Sequence, residues 1–367
     1  MRSINIWREF DYVLFGTSLV LVVFGILMIR SATTGAIAPE LISRVPDQIQ
    51  FAIIGLIVMI GLTLIDYRML GGLQLWLYIA MVGLLLLVPV IGVVGDAGAR
   101  RWINVGILIQ PSELGKVIII VTLGHFLSRR YDRMDKLYTV ILSGLHVAIP
   151  IGLIFIQPDL GTSIVFIVIW LTLIWAAGLR LQHIALFIVV FIVAMPVVWS
   201  QMQDYQKARI TTFLANDDNE DTQGASFNIR QAAISIGSGG LIGKGYANGT
   251  QCQLRFLRVR HTDFIFSCIG EEFGFVGGIT TILLIGLVIA RILHGARVAV
   301  DPLGSMICYG VASIIFFQTV VSVGMNLGLL PVTGLTLPFI SSGGTSLLST
   351  LAGIGLAESV IIRRRRV

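Results

Sequence analysis

Ten mostly apolar segments, each close to the ~20 residues that cross a bilayer as a helix, constrain this chain more than any other feature. They lie near residues 12–30, 49–66, 73–94, 113–128, 138–156, 162–178, 183–200, 264–290, 304–329 and 343–362. Of the 367 residues, 56% are hydrophobic and only 13% charged, against about 25% charged in soluble domains. A soluble fold could not cover so much apolar surface, so a bilayer is the natural solvent. The 40 glycines suit helices that pack closely in lipid. The expected fold is an all-α polytopic membrane protein of about ten transmembrane helices, forming a single integral membrane domain over 1–367. The first apolar segment is long enough to span, and no small-residue cleavage site follows it. It therefore reads as a span and not as a cleavable signal.

An even number of spans puts both termini on one side. Arg363 to Arg366 share that side with Arg129, Arg130, Arg133 and Lys136, and with Arg2, Arg8, Arg68, Arg180, Arg291 and Arg297. The positive-inside rule makes it the cytoplasmic side of a bacterial inner membrane. The same bias accounts for the net charge of +6, and with no nucleic-acid-binding motif present, nucleic acid is set aside. A large extracytoplasmic loop of about 201–262 separates helices 7 and 8. Its run from Asn216 to Gln223 reads as flexible, and its Gly-rich stretch from Ser235 to Gln251 reads as a close-packing or lid segment. Further outer segments are Gly95 to Ser112 and Leu329 to Ser346. In the latter, Pro331, Pro338, Gly343 and Gly344 forbid regular helix, which lipid tolerates only where protein or a wet cavity shields the backbone. Cys252, Cys268 and Cys308 are odd in number and lack CxxC or Cys/His spacing. They read as packing residues, with neither a disulfide framework nor a zinc site expected.

Several charges break the simple pattern. Arg100, Arg101, Lys116, Lys207, Arg209, Arg230, Lys244, Arg255, Arg258 and Arg260 map to the outer face or its helix ends, where short translocated loops normally avoid Lys and Arg. A strongly anionic partner such as a diphosphate would explain the set, because the Arg fork matches its oxygens. The alternative is headgroup contact or pairing with acids such as Asp96. Carboxylates join them: Glu113 one turn from Lys116, Asp159 in the turn IQPDLGTS, and Glu271 with Glu272, whose structural reading is a pair with Lys116 or another buried base. Asp263 lies where the eighth span begins, beside Arg260, His261 and Thr262. A carboxylate at that boundary can meet both a water-soluble sugar and a membrane-held diphosphate, as a general base requires. The alternative is an N-cap for the eighth helix.

GARRWI at 98–103 with QPSELGK at 110–116, QPDLGTS at 157–163, AISIGSGGLIGKG at 233–245 with GTQ at 249–251, RHTDFIF at 260–266 with GEEFGFVG at 270–277, and LPFISSGGTS at 337–346 occur in order. With these motifs the chain resembles the shape, elongation, division and sporulation (SEDS) family over nearly its whole length. The resemblance implies a ten-helix peptidoglycan glycosyltransferase of the cytoplasmic membrane. It would polymerise lipid II, the undecaprenyl-diphosphate-linked disaccharide peptide, into β-1,4-linked glycan. The short N-terminus and overall pattern favour the elongation branch over the division branch. The family's essential aspartate maps onto Asp263, and its other functional positions onto Arg101, Trp102, Gln110, Ser112, Glu113, Lys116 and Asp159. The implied partner is a class B penicillin-binding protein, a single-span transpeptidase, besides the membrane lipids. The chain departs from the family at Arg255, Arg258 and Val259, where an acid and Pro-Glu are common, and at Ser342, where tyrosine is common.

In the implied reaction Asp263 takes the proton of the acceptor C4 hydroxyl as it attacks the donor C1, inverting that centre. Cations that stabilise the leaving diphosphate would raise the rate and not merely the binding. Arg101, Lys116 and Arg209 are the candidates. A divalent cation, Mg or Mn, is an alternative source of that charge, with Asp159 or Asp263 as an oxygen ligand. Two rival readings use the same residues: a lipid II flippase, whose charges line a path for the headgroup, and a scaffold for a division or elongation complex. Penicillin-type chemistry in the chain itself is excluded by the lack of SxxK, SDN and KTG.

Overall fold

In a computed structural model the chain is described over residues 6–34, 39–94, 100–203, 206–207, 210–211, 225–254, 256–257 and 259–364. Ten long helices fall on the ten apolar segments: α1 Tyr12–Thr33, α2 Arg44–Leu64, α3 Gln74–Ile91, α4 Pro111–Ser128, α5 Leu137–Ile156, α6 Leu160–Ala176, α7 Leu181–Gln201, α8 Ile265–Val298, α9 Pro302–Asn326 and α10 Gly344–Ile362. Among the described residues, seven are long and apolar enough by composition to cross a membrane; α6 is a shorter apolar helix. The fold is mainly α-helical and multi-pass, as expected.

Position in the bundle does not follow hydropathy. The strongly apolar α3 faces outward along most of its length. By contrast α10, rich in Ser, Thr, Gly and Ala, is buried without a break from Ser349 to Ile362 and packs against α2, α4, α8 and α9. In lipid no hydrophobic force drives helices together, so small side chains that permit close contact define the centre. Gly344 shows how close: a Cβ there would fall 2.1 Å from the Phe51 ring of α2.

Two sets of contacts mark the ends of the bundle. At one end Arg291 pairs with Asp11 at 2.6 Å, Arg364 with Glu9 at 2.8 Å and Arg68 with Asp301 at 2.7 Å. This end gathers both described termini and is the cytoplasmic side by the Lys/Arg bias. At the other end the outer segments fold back on the helices. The outer segment 95–112, with the two residues before it, contributes to a three-stranded antiparallel sheet: β1 Val93–Val94, β2 Arg100–Asn104 and β3 Leu108–Ile109. The large outer loop is not wholly loop either, since it carries helices Ala225–Ser238 and Thr250–Gln253. The Asn216 to Gln223 run lies outside the described residues.

The eighth span is not one regular helix. Gly274 takes φ 66° and ψ −162°, a conformation open to glycine, and so interrupts the helical ladder. Freed backbone groups cannot go unpaired in a bilayer. The Gly-rich stretch pairs them: Phe275 and Val276 N–H donate to the carbonyls of Gly240 and Leu241 at 2.8 and 3.1 Å. In return, the carbonyls of Glu271 and Glu272 accept from Lys244 and Gly245 N–H at 3.0 and 2.9 Å. A Cβ on Gly274 would lie 2.5 Å from the Gly243 nitrogen, whereas one on Gly237 meets nothing within 4 Å. Gly274→Ala is expected to destabilise the folded protein by about 1–2 kcal/mol or more. Gly237→Ala, on a helix, is expected to be neutral or stabilising by up to about 1 kcal/mol. Thermal unfolding in detergent compares the two.

Candidate functional site

Asp263 is half-buried at the bundle end opposite the ion pairs of the termini. An aspartate just before a helix ordinarily caps it, but the N-cap of α8 is Phe264, with no side-chain capping bond. The cap comes from another helix: Ser267 N–H and Oγ donate to Oδ1 of Asn326, on α9, at 3.0 and 2.6 Å. The N-cap alternative therefore fails: the cap position is Phe264 and the capping side chain is Asn326. The backbone around it is held by α9 and by the 327–343 connector between α9 and α10. Ser342 N–H donates to the His261 carbonyl at 2.9 Å, Ser341 Oγ to that of Thr262 at 2.7 Å, and Asn326 Nδ2 to that of Asp263 at 2.8 Å.

The first turn of α10, directly after the connector, reaches the other motifs. Thr345 Oγ accepts the Gln110 N–H at 3.2 Å and donates to the Leu108 carbonyl at 3.3 Å. Ser342 and Thr345 are three residues apart, so their Cα atoms lie within about 11 Å. Gln110 Nε2 then donates to Asp159 Oδ2 at 2.9 Å. Arg101, on β2, directs Nε to the Gln157 carbonyl at 3.1 Å and an Nη to that of Pro158. Arg100 holds the Pro89 carbonyl at 3.0 Å. Trp102 sits on β2 opposite Val93, and Ser112 is buried in the first turn of α4. The motif segments thus converge on one end of the bundle. Arg209, Arg255 and Arg258 lie outside the described residues.

Three expectations change. Asp159 caps α6: Oδ1 accepts the Thr162 N–H at 3.1 Å, and Oδ2 accepts Thr162 Oγ and Gln110 Nε2, both at 2.9 Å. Both oxygens thus accept hydrogen bonds within the protein, and among the described residues no three carboxylate, His or Cys side chains cluster for a metal. Lys116 is 1% exposed and pairs with Glu113 at 2.6 Å, under Ser349 of α10, which donates to Glu113 at 3.3 Å. Lys116 therefore pairs within α4, Glu113 makes the link to α10, and Lys116 is not the partner of Glu271 or Glu272. Glu271 instead takes Lys244 at 2.8 Å and the N–H groups of Gln251 and Cys252, while Glu272 accepts from Ser31 Oγ. Finally, Cys252 and Cys268 form a disulfide with Cα atoms 5.8 Å apart, within the range such a bond requires. No spacing signal marks this bridge, because its halves lie on separate elements. Cys308 alone is a free, buried thiol.

Sequence reasoning also missed Asn326, Gln48 and Arg44. Gln48 Oε1 accepts the Gly343 N–H at 3.2 Å. Arg44, in the first turn of α2, joins Arg260 around His261. Burial, with these two cations, pushes the His261 pKa from 6.5 to about 4. One signal could have found all three: a polar side chain within a span, or a cation at its outer end, requires a partner.

A profile of the family described as cell cycle protein, FtsW/RodA/SpoVE, matches residues 11–366. The chain is 37% identical to the peptidoglycan glycosyltransferase MrdB of Escherichia coli K12, covering 95% of this chain and 92% of that one. It is 32% identical to the probable peptidoglycan glycosyltransferase FtsW of Geobacter sp. strain M18, over 97% and 98%. Two solved structures, each 30% identical over 98% of this chain and 99% of theirs, superpose on it. The rod shape determining protein RodA of Thermus thermophilus gives a TM-score of 0.72. A chain from a peptidoglycan synthase complex, described for its structural coordination of polymerization and crosslinking, gives 0.82.

The disulfide closes a separation of 16 residues, so replacing both cysteines by serine is expected to cost about 3 kcal/mol. Non-reducing peptide mapping should recover the Cys252–Cys268 link, and thermal unfolding should give the loss. His261 sets an acid limit. The unfolded chain binds a proton near pH 6.5, but the folded one only near pH 4, so stability falls as pH drops through that window and is level above it. His261→Gln is expected to flatten the fall in thermal midpoint between pH 7 and pH 4.

Proposed function

The chain belongs to the FtsW, RodA and SpoVE family of cell cycle proteins, and from that premise we propose that it polymerises lipid II with Asp263 as the general base. It is a multi-pass peptidoglycan glycosyltransferase of the cytoplasmic membrane. The observation that supports Asp263 is its place: at the outer end, half-buried, with the capping duty it would otherwise perform moved to Asn326. The carboxylate accepts the proton of the acceptor C4 hydroxyl as that oxygen bonds to the donor C1. The C1–O bond to the lipid diphosphate breaks, and its electron pair leaves with the diphosphate. A single displacement inverts the centre, giving a β-1,4 link from an α-linked donor.

The leaving diphosphate gains negative charge in the transition state, and fixed cations lower that barrier. Arg101 and Arg209 keep this role from the sequence reading, and Arg44 and Arg260 join them through their position around His261. Lys116 and Glu113 serve by bracing α4 against α10, and Asp159 by anchoring Gln110 and α6. A Mg or Mn ion would enter on the diphosphate itself, the usual manner of Mg²⁺ with phosphate substrates. Greater identity to MrdB than to the FtsW relative favours a role in elongation and cell shape. Likeness to a chain of a synthase complex supports a class B penicillin-binding protein as the crosslinking partner.

Purified Asp263→Ala and Asp263→Asn proteins should insert and fold, with thermal midpoints near the parent's, yet form no glycan from lipid II. Full polymerisation by either variant would refute the assignment. A flippase would move lipid II in vesicles without lengthening it, so gel analysis of the glycan product separates the two activities.

A further inference from the structure

The backbone of the His261–Asp263 segment is gripped from one side. Its three consecutive carbonyls each accept one donor, from Ser342 N–H, Ser341 Oγ and Asn326 Nδ2. The last differs in kind. Asn326 is wholly buried, and its amide uses all four of its bonding positions. Oδ1 accepts from Ser267 N–H and Oγ, and Nδ2 donates to the carbonyls of Asp263 and Ser322 at 2.8 and 2.7 Å. A flipped amide would set its N–H groups against the Ser267 N–H and its oxygen against two carbonyls. The orientation is therefore forced by chemistry. Fixing the Asp263 carbonyl and the Ser267 N–H fixes the backbone between them, and with it the direction in which the Asp263 side chain leaves its Cα.

We propose that Asn326 is a positioning residue for Asp263, holding the peptide of the base against the first turn of α8 so that the carboxylate meets the acceptor hydroxyl. The proposal rests on Asp263 acting as the base. It also separates two duties of one amide. As a helix cap, aspartate serves about as well as asparagine, because only the acceptor oxygen is used. As a positioner, asparagine is required, because only its N–H donates to the Asp263 carbonyl. Asn326→Asp keeps the Ser267 acceptor and the volume, but turns an oxygen toward two carbonyls.

The test is lipid II polymerisation by the purified full-length protein, with initial rates over a range of substrate concentration and pH. Asn326→Asp is expected to lower kcat by about 10²-fold, the scale of a misplaced reacting group, with KM changed by less than about threefold and the acid limb of the pH profile displaced. Ser341→Ala, which frees the Thr262 carbonyl and the Leu337 N–H, should show the same split at smaller size while remaining folded, its thermal midpoint lowered by a few degrees. It decides the matter if Asn326→Asp does not fold. Parental kcat and pH profile in Asn326→Asp, or in Ser341→Ala where that variant decides, beside an inactive Asp263→Asn, would make Asn326 a cap alone and overturn the proposal. An active Asp263→Asn would instead overturn the base itself, whatever the Asn326 variants do.

Discussion

Inside a bilayer every backbone N–H and C=O must find a partner within the protein, and the outer half of this molecule is arranged around that demand. The break at Gly274 leaves groups of α8 exposed, and the segment from Gly240 to Gly245 takes them up. This exchange ties the short half of α8 that follows Asp263 to the outer loop. Glu271 adds to it by accepting from Lys244, Ser235, Thr250 and two backbone N–H groups, and the Cys252–Cys268 bridge makes the junction covalent. The half-helix below Asp263 is thus part of the outer structure as much as of the membrane bundle.

The α9–α10 connector performs the corresponding task on the other side. It holds the carbonyls of His261 and Thr262 through Ser342 and Ser341, and Gln48 of α2 holds it in turn. Just beyond it Thr345 begins the contact with Gln110, from which Asp159 and the α5–α6 turn follow. Residues far apart in sequence meet because the irregular connector and the first turn of α10 exchange hydrogen bonds with each of them.

Helix number and placement were legible in the sequence because crossing lipid imposes a length and a composition that few alternatives share. Asp263 was legible through its place at a boundary and through its motif. What escaped was whatever depends on a partner from a distant segment. Asn326 looks like an isolated amide in an apolar run, and Gln48 like one of several polar residues before a span, until α8 and the connector are beside them. The cysteine pair has no spacing to read. Lys116 and Asp159 carry the residue types of a binding site, yet the structure engages them in a buried ion pair within α4 and a helix cap. Hydropathy could not identify α10 as the centre, since in lipid the interior is marked by smallness and not by apolarity.

That central placement bears on how the molecule is made. The nine other long helices precede α10 in the chain, so they enter the membrane while the core they will surround is still on the ribosome. Until it arrives, α4 and α8 can pack on α9, but α2 lacks the helix it contacts most. The arrival of α10 is therefore expected to be the step that joins α2 to α4, α8 and α9 in one bundle.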